Sequence, residues 1–558
     1  MASEIDKTFG FYEVFSVFFL DACIVTEVMT TNAIRVKAKE RQPSRRLGIL
    51  RIALPLLFSV MFIIGFGWEW NTDSFGLFYA QPEITERFEE GRLIKVPAGG
   101  NLQAAIDRAN GGDIIELEAG ATYNGQINLT KSNSGKPLTI RSSAADKLIE
   151  GKRVTPADRQ HMARIVSGML GRAALMASNG ASGYRIVGIE FTSTSSRYNY
   201  GLVVLGNGET RPENVPTDIE IDRSYIHSNG GRGTVRRGIA LNSAHITIKN
   251  SYIEGFAYPG EETQGICGWT GTRNVRIYNN YIEGGAENIM FGGADPANAE
   301  LIPTDIEVTG NHLSKSRSWN KDSTMKTAFE LKNAKNVVFK ANLITDNLKG
   351  SAFRITVRNQ DGKAAFSTIE NVVVRDNIID TTGDGINILG RDDTHASQTL
   401  RNLTIENNLF LNVGTNVIEG GGYFVLVNDG EGIVIRNNTV LNNGNITTFH
   451  GAMPRGFEFY DNIVGHGDYG IHGRLDMRSD AARAMFFNNI FIDLNRIDPS
   501  GRSFPPGNEF VSGVSELGFA DAASGDYRLS PNSRFAGKGR DGKNPGADLI
   551  SSSLAGLR

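Results

Sequence analysis

A chain of 558 residues with 64 glycines, 40% hydrophobic and 21% charged residues is turn-rich and globular rather than disordered. Its formal net charge of −3, from 58 basic against 61 acidic side chains, argues against a dedicated nucleic-acid binder, although a local basic strip can still meet an anionic polymer. Cys23 and Cys267 are the only cysteines, and no CxxC pair or His/Cys cluster has zinc spacing, so stability must come from packing and backbone hydrogen bonds.

Residues 47–68 read LGILRIALPLLFSVMFIIGFGW, long and apolar enough to cross a bilayer as a helix, with Arg51 as the single charge. Arg35, Lys37, Lys39, Arg41, Arg45 and Arg46 crowd the N-terminal side, while Glu69 and Asp73 follow. The positive-inside rule predicts a cytoplasmic tail over 1–46, a transmembrane helix over 47–68 and a linker over 69–92. Everything beyond is then extracytoplasmic, in the periplasm or at the cell surface. The alternative is a signal peptide cleaved after Ala80, which would give a secreted protein, but Phe78 stands where such a site wants a small residue.

The stretch VPAGGNLQAAIDRANGGDIIELEAG predicts a strand, a short amphipathic helix from Leu102 to Asn110, and a second strand. The helix is placed to cover the open edge of whatever follows. From about residue 184 one motif recurs, as in IEIDRSYI, ITIKNSYI, VRIYNNYI, VVVRDNII and IVIRNNTV. Its aligned polar position runs Ser224, Ser251, Asn280, Asn311, Asn342, Asn377, Asn408, Asn438, Asn462, Asn489, with spacings from 24 (Asn438 to Asn462) to 35 residues (Asn342 to Asn377). A second strand, such as GIALN, GICGW, AFELKN or GINILG, accompanies most copies. Two short strands with turns in each repeat make one coil of a β-helix. Period-2 alternation sends Ile and Val inward, and an Asn amide above an Asn amide can hydrogen-bond along the stack. The predicted class is therefore all-β, a parallel β-helix solenoid over 93–515 with a C-terminal tail over 516–558 packed on it.

The opening NLQAAIDRANGGDIIELEAGATYNGQINLTKSNSGKPLTIRS and the ending DYRLSPNSRFAGKGRDGKNPGADL resemble bacterial secreted members of the pectin-lyase-like superfamily of right-handed parallel β-helices. The resemblance covers about residues 93–550 and implies a right-handed solenoid. It also implies an extracellular polysaccharide as partner, cleaved by hydrolysis with aspartates or by β-elimination with a Lys or Arg base, often with calcium. The RxPxxR signature of pectate lyases is absent, and GDGI at Gly383–Ile386 and GRDD at Gly390–Asp393 only faintly echo polygalacturonases.

The residues single out AFELKN (Ala328–Asn333) and AFRITVRN (Ala352–Asn359). With Phe329, Leu331, Ile355 and Val357 inward, Glu330, Lys332, Thr356 and Arg358 point outward, and Lys332 and Arg358 fall on neighbouring coils roughly 4.8 Å apart. Their repulsion, about 3 kcal/mol at an effective dielectric of 20, would favour a neutral amine. A neutral Lys beside a fixed Arg is what β-elimination of a uronate needs. Lyases of the alginate lyase and chondroitinase B type use a Lys and an Arg in this way, a likeness of residue type and placement only. Lys332 and Arg358 are thus the candidate catalytic pair, with Glu330, Arg354, Trp269 and Asn242 as candidate substrate contacts. Lys332 paired to an acid on a solvated face is the plain alternative, as is Trp269 packed under the loop Tyr258–Glu262. Asp392 and Asp393 are candidate oxygen ligands for calcium, although no loop has a recognisable calcium spacing. As a hydrolase pair they are poor, because adjacent residues of a strand face opposite ways. The function expected is a membrane-anchored lyase acting on a uronate polysaccharide; the alternatives are a non-catalytic glycan-binding or structural envelope protein and a glycoside hydrolase.

Overall fold

The computed structural model describes residues 91–558 apart from 134, 169–170, 230–233, 320–323, 416, 443, 474, 477–478 and 494–503. The expected anchor over 47–68, its flanks and Cys23 lie outside the described residues. Among the described residues no helix is long and apolar enough to cross a membrane.

Each coil contributes three strands to three parallel ladders. One coil runs through Arg273–Tyr278 on the first face, Tyr281–Glu283 on the second and Glu287–Phe291 on the third, and the chain returns to the first face at Thr304–Thr309. The first ladder stacks 14 strands, from Leu93–Val96 to Phe486–Phe487. The second and third ladders merge where Leu343–Thr356 and Ile378–Leu389 each run through both as one long strand. The motif that repeats in the sequence is the first strand, its corner and the second strand; the accompanying strand is the third.

Alternation decides what is buried. In Arg273–Tyr278 only Val275 and Ile277 are buried, and each stacks on an Ile or Val of the next coil. An aromatic file runs up the interior through Phe329, Phe339, Phe353, Phe410, Phe424 and Phe459, with ring centroids 4.5 to 6.2 Å apart. Each fully buried Phe contributes roughly 1.5–3 kcal/mol. A short helix, Leu102–Arg108, buries Leu102, Ala105 and Ile106 in the same core, and its N-cap Asn101 accepts a hydrogen bond from Ala104 N.

The polar column forms a continuous ladder at the corner between the first and second faces. The Asn311 amide N–H and Nδ2 both donate to Asn342 Oδ1, at 2.9 and 3.0 Å, and the pattern repeats coil by coil from Asn280 to Asn508. The residue before each ladder position turns the corner in the left-handed region, as at Asn279, Asp376, Asn407 and Asn488 (φ 51 to 59°). This is why the motif reads Asn-Asn or Asp-Asn, since short polar side chains tolerate that backbone.

The C-terminal segment travels back along the second face. Gly546 N donates to Asp461 O, Ala547 N to Thr439 Oγ1, Asp548 N to Asn407 Oδ1, and Arg558 pairs with Asp380 at 2.8 Å. Leu549, Leu554 and Leu557 cover Leu343, Ile378 and Leu409 there.

Candidate active site on the third ladder

Most residues of the central third-face strands are buried on both sides: Gln264–Gly268, Glu287–Phe291 and Thr327–Leu331 are buried throughout. Their inward positions align Ile266, Ile289, Phe329, Phe353, Ile386 and Val425. The outward column beside them runs Cys267, Met290, Glu330, Arg354, Asn387 and Leu426, so charge enters only at its middle. There a cavity of about 510 Å³ opens, lined among others by Glu330, Lys332, Arg354, Arg358, Asp392 and Asp393. Six of the eight residues singled out from the sequence thus meet here, Asp392 and Asp393 from a loop and the other four from the outward side of the third-face strands and their ends.

Their partners differ from those expected. Arg358 is held by two acids: its Nη1 lies 3.5 Å from Asp392 and in tighter contact with Asp393. Lys332 has no ion pair within 4 Å among the described residues, and the acid whose field it chiefly acts on is Glu330. The expected isolated pair of cations is thus corrected. Arg358 is neutralised by carboxylates from the following loop, which strand alternation could not locate. The expected divergence of Asp392 and Asp393 also fails, because the strand ends at Leu389 and both carboxylates lie in a turn facing the same guanidinium.

Behind the cavity sits a buried acid pair. Lys326 Nζ lies 3.2 Å from both Glu287 and Glu330 and 3.4 Å from Glu262. Burial opposes ionisation of Glu330, which is 1% exposed, but Lys332, Lys326 and a hydrogen bond from Glu287 outweigh it and hold the carboxyl below its ordinary range. Glu287 moves the other way, pushed up first by burial and then by the Glu330 charge. The two carboxyls therefore oppose each other's ionisation, Glu287 being pushed up and Glu330 held down. Burial resists the charge on Lys326, yet Glu330, Glu287 and Glu262 raise it well above the usual lysine value. Lys315, fully buried and pushed down to about 7 by burial, donates to the Gly284, Gly285 and Ala286 carbonyls (2.7 to 3.1 Å) and fixes the backbone leading into Glu287.

Asp392 and Asp393 do not fit a calcium site. Asp392 accepts backbone N–H bonds from Asn359 (2.6 Å), Thr394 (2.8 Å) and His395 (3.2 Å), and these, against the cost of burial, hold its carboxyl below the ordinary range. Its remaining charge, with that of Asp393, is matched by Arg358. A calcium ion needs six to eight oxygens, and no group of three or more His, Cys, Asp or Glu side chains placed to hold a metal occurs among the described residues.

Asn242 is fully buried, so its expected contact with substrate is corrected as well. Its Oδ1 accepts from Trp269 N at 2.9 Å and Thr270 N at 3.3 Å, which sets the turn that presents Trp269. Trp269 is half-buried, meets the edge of Tyr200 at 5.9 Å and lies outside the cavity. Lys326, Glu287 and His395 were missed, and His450, with no paired spacing in the sequence, reads there as an ordinary turn or surface residue. Lys326 and Glu330 stand four residues apart across a strand start, a spacing that means nothing in a strand, and both histidines reach the cavity from the ends of later coils.

No family model matches the chain, and no curated protein matches it. Among solved structures it is similar to an alginate lyase from Paenibacillus sp. (16% identity over 60% of this chain and 99% of that one, TM-score 0.38). It is also similar to a mannuronic acid-specific polysaccharide family 6 lyase from human gut microbiota (15% identity, 75% and 91% covered, TM-score 0.47). A surface adhesin of Streptococcus pneumoniae, PfbA, matches comparably (12% identity, 73% and 86% covered, TM-score 0.36). On its own ladder topology, this chain is a parallel β-helix of the kind that the pectin-lyase-like resemblance implied.

Proposed function

We propose that the protein is a polysaccharide lyase that cleaves a uronate-containing polymer by β-elimination, exported and held at the membrane by its N-terminal segment. The observation that carries this reading is the convergence of Lys332, Arg354 and Arg358 on one open cavity of the third face. In the proposed reaction a uronate carboxylate docks against Arg354 and Arg358, which stabilise the charge that develops as the proton on C5 leaves. Lys332 takes that proton as the general base. The electron pair forms the C4–C5 double bond, the C4–O bond breaks, and the departing oxygen collects a proton. Lys332 can return it when both groups lie on one face of the sugar; His395 or His450 stands on the cavity wall when they do not.

Hydrolysis is less well supported. Glu287 and Glu330 are buried and both spent on Lys326 at 3.2 Å, and Asp392 and Asp393 are spent on Arg358. Non-catalytic glycan binding is the second reading, favoured by the internal neutralisation of Arg358 and Lys326. The deciding experiment follows absorbance in the unsaturated-uronate band while the protein meets alginate, polygalacturonate and glycosaminoglycans. A rising trace that Lys332→Ala abolishes supports the lyase. A flat trace on every polymer removes it.

A further inference from the structure

Three coils from Lys332, the third face carries a cation that no acid answers. Arg237 is 6% exposed, has no carboxylate partner among the described residues, and its Nε and Nη1 make no hydrogen bond. Its guanidinium carbon lies 4.4 Å from the centroid of the Tyr200 ring and 5.0 Å from that of Trp269. Those rings meet edge to face, and Tyr200 is 38% exposed. Lower on this face Lys326 is matched by three glutamates and Arg358 by two aspartates. A buried, unanswered guanidinium beneath solvent-facing aromatic rings is a site prepared for an anion that arrives with an apolar face.

Register ties this platform to the cavity. Gly268, Phe291 and Leu331 are successive Cα partners, so Trp269, Gly292 and Lys332 follow at one level on three consecutive coils. The intervening coil offers Gly292 and Gly293, both with positive φ (94° and 91°), and a Cβ on Gly293 would stand 3.0 Å from the Met290 methyl and 3.5 Å from Lys332 Cδ. The two glycines add no side chain to the floor between platform and lysine, which the Met290 and Lys332 side chains line. Trp269 and Lys332 stand two coil spacings apart, roughly 10 Å. One coil spacing is close to the advance of a pyranose chain per residue.

We propose that Tyr200, Trp269 and Arg237 form a distal subsite for an anionic sugar of the same polysaccharide chain, beginning at Trp269 about two residues from the bond at Lys332 and reaching to Arg237 one coil farther. This rests on reading the Lys332 cavity as a uronate-polymer site. The exposed ring of Tyr200 stacks on the sugar face, and its carboxylate turns toward Arg237 as the tyrosine yields. The subsite makes the protein select for long, uniformly charged chains over dimers.

The test is affinity electrophoresis of the full chain through gels holding alginate, polygalacturonate or the same polymers with their carboxylates reduced to alcohols. Tyr200→Ala, on an exposed ring, and Arg237→Met are each expected to weaken retardation by about tenfold on the charged polymer. Lys332→Ala is expected to retain it, and carboxyl reduction should erase the difference between Arg237→Met and the unchanged protein. Undiminished retardation in Tyr200→Ala and in a folded Arg237→Met, or no retardation of the unchanged protein by any charged polymer, overturns the subsite. Turnover that persists while both variants bind normally leaves the lyase reading standing alone. Retardation that depends on Tyr200 in a protein without turnover upholds the subsite and removes the lyase.

Discussion

Glu330 and Arg354 are Cα partners on adjacent coils, so the third face sets an acid and a base side by side on its outward surface. Lys326 and Lys332 also bear on Glu330, leaving the immediate surroundings of that carboxylate with more positive than negative charge. A uronate carboxylate entering the cavity therefore meets a net attraction, although Glu330 competes for Arg354.

Arg354 should then act mainly in binding and Lys332 in chemistry. Lys332→Ala is expected to lower kcat by at least about 100-fold, within the usual range for a lost general base. Arg354→Ala should raise KM more than it lowers kcat. Initial rates on the responsive polymer, measured across substrate concentration, separate the two; equal effects on both constants from either change would count against these roles.

Chelation should leave turnover unchanged, because Asp392 and Asp393 already spend their oxygens on backbone amides and Arg358. Rates with and without EGTA check this. A loss restored by calcium would require those aspartates to release Arg358.

Lys326→Met should be among the most damaging single changes near the cavity. It strands Glu330 as a buried carboxylate beside Glu287, at a cost of about 3–5 kcal/mol. Glu287→Gln should be far milder, since an amide can still donate to Glu330. Thermal unfolding midpoints of the two variants should differ in that order.

The Asn ladder predicts a graded series at one position. Asn342→Ala leaves the buried Asn311 N–H without its acceptor and should cost about 1–3 kcal/mol. Asn342→Ser should cost less, because Ser251 accepts from Ser224 N at the same corner two coils from Asn311. Denaturant midpoints of both variants test the ranking.

Acid should destabilise the fold through His312. Burial, reinforced by Arg153 and Arg558, pushes this imidazole down to about 4 from 6.5. The unfolded chain then binds the extra proton throughout that window, so stability is complete above about pH 6.5 and falls as pH drops toward 4. His312→Gln should flatten the dependence of the melting temperature on pH between those values. An unchanged slope would place the acid sensitivity elsewhere.

The solenoid was legible in the sequence because its two strongest signals are local. Inward Ile and Val at period 2, and Asn at each corner, recur wherever the chain repeats the same backbone turn, as at Asn280, Asn311 and Asn342. A second ladder was overlooked: Asp305, Asn336, Asn371 and Asn402 join side chain to side chain at 2.8–2.9 Å where first-face strands begin. Outward placement of Glu330, Lys332, Arg354 and Arg358 also followed from alternation alone. What alternation could not supply was the partner of each charge. Arg358 is neutralised by a loop 34 and 35 residues later, Glu330 by a lysine at its own strand's start, and Arg237 by no acid among the described residues. Sequence sets the face and level of a side chain, because those are properties of one strand. Stacking and the loops between coils decide its neighbours, and the neighbours decide its charge.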